Sequence, residues 1–372
     1  MSLLKQKIIE KIKSEGPINF EKFMEMCLYY PQLGYYTKDS TKIGKSGDFY
    51  TSPHLHPIFG AMIGRQMKEM WEIMDFPQDF HIVEIGAGMG YLSKDMLEYI
   101  RKSEKSFFHS LSYTIIELNN SLKSEQQSQL LDFNDKVNWI SSIDKLETIT
   151  GCFISNELLD AFPVRLVEID DEIKEIYISI DGDELIEVKM PCSDEIKDYF
   201  REFDVKLPNN YRTEVNLRIK DWLREVNDKL KEGFILTIDY GYSSGDYYNE
   251  ERNRGTILCY HRHIINEDFF NNIGEQDITA HVNFSSLKRW GEDMGVKTIG
   301  FCPQGIYLIS LGIDEVIKDL LGETPDFFDI ARIKGLILPQ GMGESHKIMI
   351  QYKGNREIKM KGFQFKNRVN TL

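Results

Sequence analysis

The fold is decided by residues 81–91, which read His81-Ile82-Val83-Glu84-Ile85-Gly86-Ala87-Gly88-Met89-Gly90-Tyr91. The apolar, partly β-branched run from Phe80 to Ile85 predicts a short buried strand that ends in a glycine turn. From Tyr91 to about Arg101, apolar side chains recur at helical spacing. A strand, a glycine turn and a helix form the first unit of a doubly wound α/β sheet. A ligand can approach such a turn closely, because glycine has no Cβ atom.

Two classes of ligand use a glycine turn of this kind. A dinucleotide-binding turn has the spacing G-x-G-x-x-G and holds the pyrophosphate at the helix N-terminus. Here the spacing is G-x-G-x-G, and Tyr91 occupies the position of the third dinucleotide glycine. A nicotinamide-dependent dehydrogenase is therefore the least favoured alternative. From this motif alone, an ordinary strand-to-helix turn that binds nothing remains open.

Size and composition indicate a globular protein. A chain of 372 residues with 41% hydrophobic residues can form one large or two medium domains. No apolar run approaches the length that crosses a bilayer, so no membrane segment is expected. Because the N-terminal stretch resembles neither a signal peptide nor a transit peptide, we expect a cytoplasmic location.

Charge and cysteine usage narrow the possible partners. A net charge of −14 disfavours a broad nucleic-acid footprint and is compatible with a cationic substrate such as an arginine side chain. The five cysteines show no C-x-x-C spacing, which predicts buried free thiols. Three histidines between residues 255 and 290 lack the H-x-x-x-H spacing, so we expect wall or lid residues and no metal.

The order of the predicted elements divides the chain into segments. The first is mostly helical and contains a loop rich in glycine, tyrosine and acid, which suggests either a lid or an ordered packing loop. The last holds six Lys/Arg against one Glu, which predicts a solvated basic tail. The segments are a cap (1–79), a sheet core (80–163 and 231–352), an insertion expected to pack over the sheet edge (164–230), a lid segment within the core (255–290) and the tail (353–372).

The second and third predicted strands each end in polar residues. The second runs from Leu111 to Leu118, and Glu117 at its end can accept hydrogen bonds from both ribose hydroxyls of a bound nucleoside. The third is followed by Ser142, Ile143 and Asp144, which are candidates for contacts with the adenine edge. Asp144 could equally be the N-cap of a short helix.

The fourth predicted strand, Cys152 to Ser155, leads into a second polar group. Ligands of open α/β sheets bind beyond the carboxyl ends of the strands, which places Asn156, Glu157 and Asp160 at the reacting centre. One helical turn would bring Glu157 and Asp160 to the same face, where they could hold a guanidinium. The alternative is a helix start capped by Asn156 with acids favoured by the macrodipole. Asp239 ends the fifth strand, where a carboxylate is costly unless it is paired or serves a site.

The glycine turn resembles motif I of the class I methyltransferases that depend on S-adenosyl-L-methionine. Its form is E-x-G-x-G-x-G, with the acid two residues before the first glycine. In that family the glycines contact the methionine and ribose parts of the cofactor. The resemblance implies S-adenosyl-L-methionine as cofactor, bound by Glu84, Gly86, Ala87, Gly88, Gly90, Glu117, Ser142, Ile143, Asp144 and Asn156.

The chain as a whole resembles the MidA-like methyltransferase family, whose mitochondrial members act as complex I assembly factors and arginine methyltransferases. The resemblance extends over nearly the whole chain, and its pieces occur in the family's order. They are Gly34-Tyr35-Tyr36, Gly47-Asp48-Phe49-Tyr50-Thr51-Ser52-Pro53, residues 84–90, Ser155-Asn156-Glu157-Leu158-Leu159-Asp160-Ala161-Phe162-Pro163, Asp239-Tyr240-Gly241, residues 277–284 and Met342-Gly343-Glu344.

This resemblance implies a seven-stranded, mostly parallel, Rossmann-like class I methyltransferase sheet with an N-terminal helical cap and inserted elements. The implied reaction transfers a methyl group to a nitrogen of an arginine in a partner protein. Glu157, Asp160 and Asp239 would hold the guanidinium, and Asp48 would lie in the cap over the site. The alternatives are methylation of a small molecule and a cofactor-binding assembly factor with little catalysis. The chain departs from the family pattern at His54 and Asn283, where acids are common.

Overall fold

A computed structural model describes residues 2–38 and 51–372 of the chain. The architecture is α/β, with a mostly parallel central sheet and two smaller antiparallel sheets. Among the described residues, no helix combines the length and the apolar character needed to cross a membrane. Asp48 lies outside the described residues, so its predicted position over the site stays a prediction.

The N-terminal segment is helical, as its apolar spacing predicts, and it contributes one short strand. Helix α2 begins after Asn19, whose side chain accepts a hydrogen bond from the backbone N–H of Lys22 at 2.8 Å. The elements are α1 (Leu3–Glu15), β1 (Ile18–Asn19), α2 (Phe20–Tyr29), α3 (Ser52–Leu55) and α4 (Ile58–Ile73).

The first half of the central sheet alternates strands with helices. Each strand is short and mostly apolar, and the helix Tyr91–Ser103 presents an apolar stripe to the sheet, whereas the helix Asn120–Gln129 is polar and buries only Gln126. In chain order the elements are β2 (Phe80–Ile85), α5 (Tyr91–Ser103), α6 (Lys105–Ser110), β3 (Leu111–Ile116), α7 (Asn120–Gln129), β4 (Val137–Ile140) and β5 (Ile149–Asn156).

The predicted insertion forms a sheet of its own. Its strands mix buried and exposed residues, which fits an antiparallel sheet with one partly solvated face. The N-terminal strand β1 joins this sheet, with Ile18 opposite Ile178, and the order is β1-β7-β6-β9 with β8 beside β7. Its elements are β6 (Arg165–Asp170), β7 (Glu172–Asp181), β8 (Glu184–Pro191), α8 (Asp194–Glu202) and β9 (Arg212–Val215), and α9 (Arg218–Lys229) then returns the chain to the core.

The second half of the chain completes the central sheet and adds the third, three-stranded sheet in the order β12-β11-β13. The strands are β10 (Leu230–Tyr242), β11 (Leu258–His261), β12 (Ile264–Asn266), β13 (Asp277–Thr279), β14 (Val282–Asn283), β15 (Lys297–Pro303) and β16 (His346–Lys353). The helices are α10 (Ser244–Tyr247), α11 (Phe284–Asp293), α12 (Gln304–Ser310), α13 (Ile313–Leu321), α14 (Phe327–Ile337) and α15 (Met342–Ser345).

The central sheet has the order β15-β16-β10-β5-β2-β3-β4, and β14 pairs with the end of β10. Strands β10, β5, β2, β3 and β4 are parallel, whereas β16 is antiparallel to both of its neighbours. Seven strands therefore lie on one path, as predicted, and the short β14 is an eighth. The strand order reverses between β2 and β5, which leaves a crevice beyond their carboxyl ends.

The predicted solvated tail is wrong. Met360 and Phe363 are buried in the core, and the Phe363 ring lies 5.3 Å from that of Tyr307. The backbone N–H of Arg368 donates a hydrogen bond to the Phe301 carbonyl at 2.7 Å. The basic residues dominate the composition of this segment and mask the few apolar side chains that fix it to the sheet.

The packing of this segment leads to a stability prediction. Phe363→Ala should lower the free energy of unfolding by about 3 kcal/mol, because Phe363 is only 7% exposed and its removal leaves a cavity. Phe365→Ala is the matched control, since that ring is 70% exposed and should change stability little. Urea denaturation of both variants measures the difference, and equal losses would contradict the packed arrangement.

Candidate functional site

A cavity of about 480 Å³ lies beyond the carboxyl ends of β2, β3 and β5, in the crevice where the strand order reverses. The turn after β2, the end of β3, the loop after β4 and the end of β5 form most of its wall. Helix α9 and the N-terminal segment contribute the rest. The cavity therefore collects side chains from several elements at the position that the fold favours for a ligand.

The glycine turn forms one wall of the cavity. Gly86, Gly88 and Gly90 have φ values of 73°, 54° and 80°, a left-handed conformation that favours glycine. A Cβ atom at Gly86 would lie 3.0 Å from a methyl carbon of Leu158. Of the four residues predicted to bind the cofactor here, Gly86, Ala87 and Gly88 line the cavity, whereas Gly90 precedes α5 and packs against Gln126.

Glu84 lies beneath this turn. Glu84 is among the residues that line the cavity, but it is only 2% exposed, and its carboxylate accepts a hydrogen bond from the Tyr113 hydroxyl at 2.6 Å. Burial raises the pKa of Glu84 to about 7, although the hydrogen bond from Tyr113 stabilises the carboxylate and acts to lower the pKa. Glu84 thus supports the turn through a fixed contact with the neighbouring strand.

Glu117 follows β3 and is held from two sides. Its Oε1 accepts a hydrogen bond from the backbone N–H of Asn119 at 2.8 Å, and its Oε2 accepts one from Gln126 at 2.9 Å. The same amide nitrogen of Gln126 donates to the Gly88 carbonyl at 2.9 Å. Burial raises the pKa of Glu117. Gln126 therefore links the acid to the glycine turn, a role that nothing in the polar sequence of α7 indicates.

The loop after β4 contributes Ser142, Ile143 and Asp144, all of which line the cavity, and their contact with adenine stays a prediction. The alternative of Asp144 as an N-cap is wrong, because the Ser142 hydroxyl accepts the hydrogen bond from the Asp144 N–H at 3.2 Å. Trp222 and Glu225 of α9 also line this end. Sequence reasoning missed them as site residues, because the position of Trp222 on an apolar helix face indicated packing alone.

Asn156 and Glu157 form the opposite end of the cavity. Glu157 Oε1 accepts hydrogen bonds from the Ser52 N–H at 3.2 Å and from the Asn156 amide at 3.3 Å. His346 Nε2 lies 3.6 Å from the same oxygen. The Asn156 side-chain oxygen is buried and has no hydrogen-bond partner among the described residues. At this end of the cavity, the fixed Glu157 carboxylate therefore lies next in sequence to an amide oxygen of Asn156 that accepts no hydrogen bond from the described residues.

Asp160 does not share a face with Glu157, so the predicted helical turn is wrong. Glu157 has a φ of 50°, and a 3₁₀ turn covers Leu159–Ala161. Asp160 is buried behind the cavity wall and accepts a hydrogen bond from the Tyr240 hydroxyl. Burial raises the pKa of Asp160 to about 7, and the charge of Glu157 acts in the same direction.

Asp239 is also buried and is absent from the cavity wall. Its two oxygens accept hydrogen bonds from the backbone N–H groups of Leu159 at 3.0 Å and Tyr240 at 2.9 Å. Burial raises its pKa well above the usual range, and the charges of Asp160 and Glu157 raise it further. The carboxyl group thus fixes the loop that carries Glu157.

Two tyrosines from the N-terminal segment complete the cavity wall. The rings of Tyr29 and Tyr36 stack with centroids 5.5 Å apart, and both line the cavity. The Tyr29 hydroxyl donates to the Ala161 carbonyl at 3.0 Å, and the Tyr36 hydroxyl donates to Asp277 at 2.8 Å. The predicted tyrosine-rich stretch indicated a lid or packing loop, and these contacts make its tyrosines part of the cavity wall.

The positions that depart from the family pattern differ in location. His54 lines the cavity, with its Nδ1 atom 2.7 Å from the Thr51 hydroxyl, and burial lowers its pKa. Asn283 instead precedes α11, where its side chain accepts a hydrogen bond from the Ser285 N–H at 3.0 Å and donates one to Tyr199 at 2.8 Å. Only the first of these changes reaches the site.

The histidines of the lid segment have no metal-site geometry. Across residues 2–38 and 51–372, no group of three or more His, Cys, Asp or Glu side chains could hold a metal ion. Burial lowers the pKa of His281 to about 4, and its ring packs against Tyr240 and Tyr242. The five cysteines are buried free thiols, as predicted.

Comparison with known proteins agrees with this geometry. A model of the family Methyltransf_28, described as "Putative S-adenosyl-L-methionine-dependent methyltransferase", matches residues 62–302. The Caenorhabditis elegans "Protein arginine methyltransferase NDUFAF7 homolog, mitochondrial" is 28% identical over 87% of this chain and 79% of its own length. The Xenopus tropicalis "Protein arginine methyltransferase NDUFAF7, mitochondrial" is 28% identical over 86% and 77%.

Two solved structures from Burkholderia thailandensis have the same fold. A member of the COG1565 superfamily bound to S-adenosyl-homocysteine has a TM-score of 0.90 and 29% identity, covering 99% of this chain and 96% of that one. A native structure of a protein of that superfamily has a TM-score of 0.87 and 28% identity at the same coverage.

The cavity fits S-adenosyl-L-methionine on its own residues. The glycine turn presents backbone without Cβ atoms, Glu117 presents acceptor oxygens, and the Asn156 oxygen lacks a partner. The loop with Ser142, Ile143 and Asp144 adds a half-apolar end of the kind that an adenine ring fills. These features match the parts of a nucleoside joined to an amino acid.

The expected cytoplasmic location is contradicted, because the similar curated relatives are named mitochondrial proteins. That expectation depended only on targeting signals that were not recognised, which is weak evidence for any compartment. The family is a firmer result, since its model matches more than half of the chain. The chain belongs to the Methyltransf_28 family of S-adenosyl-L-methionine-dependent methyltransferases.

Proposed function

We propose that the chain transfers the methyl group of S-adenosyl-L-methionine to a nitrogen of an arginine side chain in a partner protein. The observation that carries this proposal is that Glu157 lines the same cavity as the glycine turn and two stacked tyrosines, Tyr29 and Tyr36. The names of the curated relatives support the same acceptor. The acidic chain suits a cationic acceptor better than nucleic acid.

At one end of the cavity, residues would have to bind the cofactor and orient it. The turn at Gly86 to Gly88 would contact the amino-acid part, Glu117 the ribose, and the loop with Ser142 the adenine. When bound, S-adenosyl-L-methionine supplies a methyl group on a positively charged sulfur that is already a good leaving group. The chain therefore contributes mainly by positioning, which accounts for much of the rate of two-reactant enzymes.

The end of the cavity at Glu157, where the group that receives the methyl would bind, is called the acceptor end. It has two features that suit a guanidinium. The Glu157 carboxylate can accept charge-assisted hydrogen bonds from the planar group. The stacked rings of Tyr29 and Tyr36 offer faces against which a guanidinium packs by cation–π interaction. Asp160 and Asp239 act from behind the wall, where their hydrogen bonds fix the loop that carries Glu157.

The division of the chain is part of this proposal. The cap of residues 1–79, with Asp48 in it, would cover the acceptor end, and the segment of residues 255–290 would form the opposite wall through Asp277. The core of residues 80–163 and 231–352 would hold the cofactor, and the insertion of residues 164–230 would brace the cap through β1. An arginine-bearing protein would then reach Glu157 between the cap and the lid segment.

Product analysis tests the proposed reaction. Purified protein is incubated with methyl-tritiated S-adenosyl-L-methionine and protein extract from cells that lack this gene, and the labelled proteins are hydrolysed in acid. We expect the label in methylarginine. Label in another amino acid or in a small molecule would contradict the proposal, and binding of the cofactor without any transfer would favour an assembly factor.

Glu157→Gln should reduce methyl transfer at least about a hundredfold, because the amide removes the negative charge that holds and aligns the guanidinium. Binding of S-adenosylhomocysteine, measured by calorimetry, should stay within about twofold, since the acid lies at the acceptor end. Glu147→Gln, a change on an exposed loop, is the control. Full activity in Glu157→Gln would exclude this role.

Glu117→Gln should weaken binding of S-adenosylhomocysteine by roughly tenfold or more. The carboxylate presents two charged acceptors to the ribose, and each such hydrogen bond contributes about 1.5–3 kcal/mol. Asp132→Asn is the charge-matched control, because Asp132 is exposed and lies in the short 3₁₀ turn after α7. Calorimetric titration measures both affinities, and an unchanged affinity in Glu117→Gln would place the ribose elsewhere.

A further inference from the structure

His346 is the first residue of β16 and lies opposite Tyr240 of β10 in the antiparallel pair. Its side chain is only 7% exposed, so it belongs to the interior behind the acceptor end. Its Nδ1 atom is 3.1 Å from the Ser345 hydroxyl. Its Nε2 atom points to Glu157 Oε1 at 3.6 Å and has no hydrogen bond within the described part of the chain.

This arrangement is costly unless it serves a purpose. A buried ring nitrogen without a hydrogen bond loses the solvation that it has in water. A small movement of the Glu157 carboxylate would close the 3.6 Å gap to a hydrogen bond. The imidazole is therefore placed to respond to the position and charge of the carboxylate that lines the cavity.

The proposed reaction creates a need for a proton acceptor. An arginine guanidinium carries its full set of protons at neutral pH, and one of them must leave when its nitrogen forms a new bond. The nitrogen–carbon bond forms as the methyl carbon–sulfur bond breaks, the sulfur keeps that electron pair, and the nitrogen releases one proton. A carboxylate can receive this proton, but it is then neutral and no longer holds the product cation.

We propose that His346 is a positioning residue that takes the released proton from Glu157 through its Nε2 atom, so that the carboxylate keeps its charge. This inference rests on the proposed arginine methylation. The imidazole that accepts the proton becomes an imidazolium paired with Glu157. The proton then passes to solvent.

The charges around His346 favour this transfer. Asp160 lies behind Tyr240, whose ring is 5.6 Å from the imidazole, and it accepts the hydrogen bond of the Tyr240 hydroxyl. Lys347 opposes the transfer, but its ammonium donates to the Ser345 carbonyl at 3.2 Å and also to that of Glu344. The remaining titratable or charged groups nearby are Asp239 on β10, His281 against the far side of Tyr240, His54 beside Glu157, and Glu344 paired with Arg368.

The first test measures the coupling of the pair without any acceptor. Nuclear magnetic resonance follows the ring titration of His346 in the complex with S-adenosylhomocysteine, in the parent and in Glu157→Gln, with His346→Gln to assign the signal. We expect the titration midpoint to move to lower pH in Glu157→Gln, because the imidazolium loses its counter-charge. An unmoved midpoint would overturn the proposal.

The second test measures the role of His346 in turnover. Methyl incorporation from tritiated S-adenosyl-L-methionine into the gene-deficient extract is recorded against pH. In the parent, the rate should rise with pH in a rising limb that reflects the loss of one proton. His346→Gln should lack that limb and should be slower by about tenfold or more. His281→Gln is the control, because its ring also packs against Tyr240 and should keep the limb.

The outcomes separate this inference from the proposed function. Binding of S-adenosylhomocysteine within about twofold of the parent verifies that His346→Gln is folded. If His346→Gln keeps the parent's pH limb, the relay is overturned even when the product is methylarginine. If the label appears in another amino acid, arginine methylation is excluded, and the two midpoints still show whether the charges of His346 and Glu157 are coupled.

Discussion

The parallel pairing of β5 with both β2 and β10 determines where the rest of the site can lie. In this register Ile85 is level with Ser155, and Asn156 is level with Ile238. The glycine turn, the loop of Glu157 and the end of β10 therefore meet at one edge. Gly151 makes the close pairing possible, because a Cβ atom there would lie 2.0 Å from the His81 carbonyl oxygen. The crevice follows from the strand order and not from any single side chain.

Buried carboxylates at that edge are the main electrostatic cost of the site. Glu84, Asp160 and Asp239 each lose hydration, and each recovers part of it through a tyrosine hydroxyl or backbone N–H groups. Burial raises the pKa values of all three, so they hold structure more readily than charge. Asp160 and Asp239 are absent from the cavity wall, and Glu84 is hydrogen-bonded to Tyr113. Glu157 instead lines the cavity, has no such tyrosine partner among the described residues and can meet an acceptor.

The sequence was informative where a local pattern determines structure. The apolar strands and the glycine turn gave the sheet, and acids at strand ends gave Glu84, Glu117 and Glu157 on the cavity wall. Prediction from the sequence failed where tertiary contacts determine the position of a side chain. The left-handed conformation of Glu157 moves Asp160 to the other side of the wall, and no spacing rule reveals it. The link from Gln126 to Gly88, the position of His346 and the packing of Phe363 depend on residues distant in the chain.

The central claim is that one cavity holds the cofactor with its reactive sulfur toward Glu157. A crystal structure of this chain with S-adenosylhomocysteine tests it most directly. The account predicts the adenine beside the loop of Ser142, the ribose hydroxyls on Glu117, and the sulfur facing the end of β5 where Glu157 lies. A ligand bound with the sulfur directed away from Glu157, or bound outside this cavity, would contradict it.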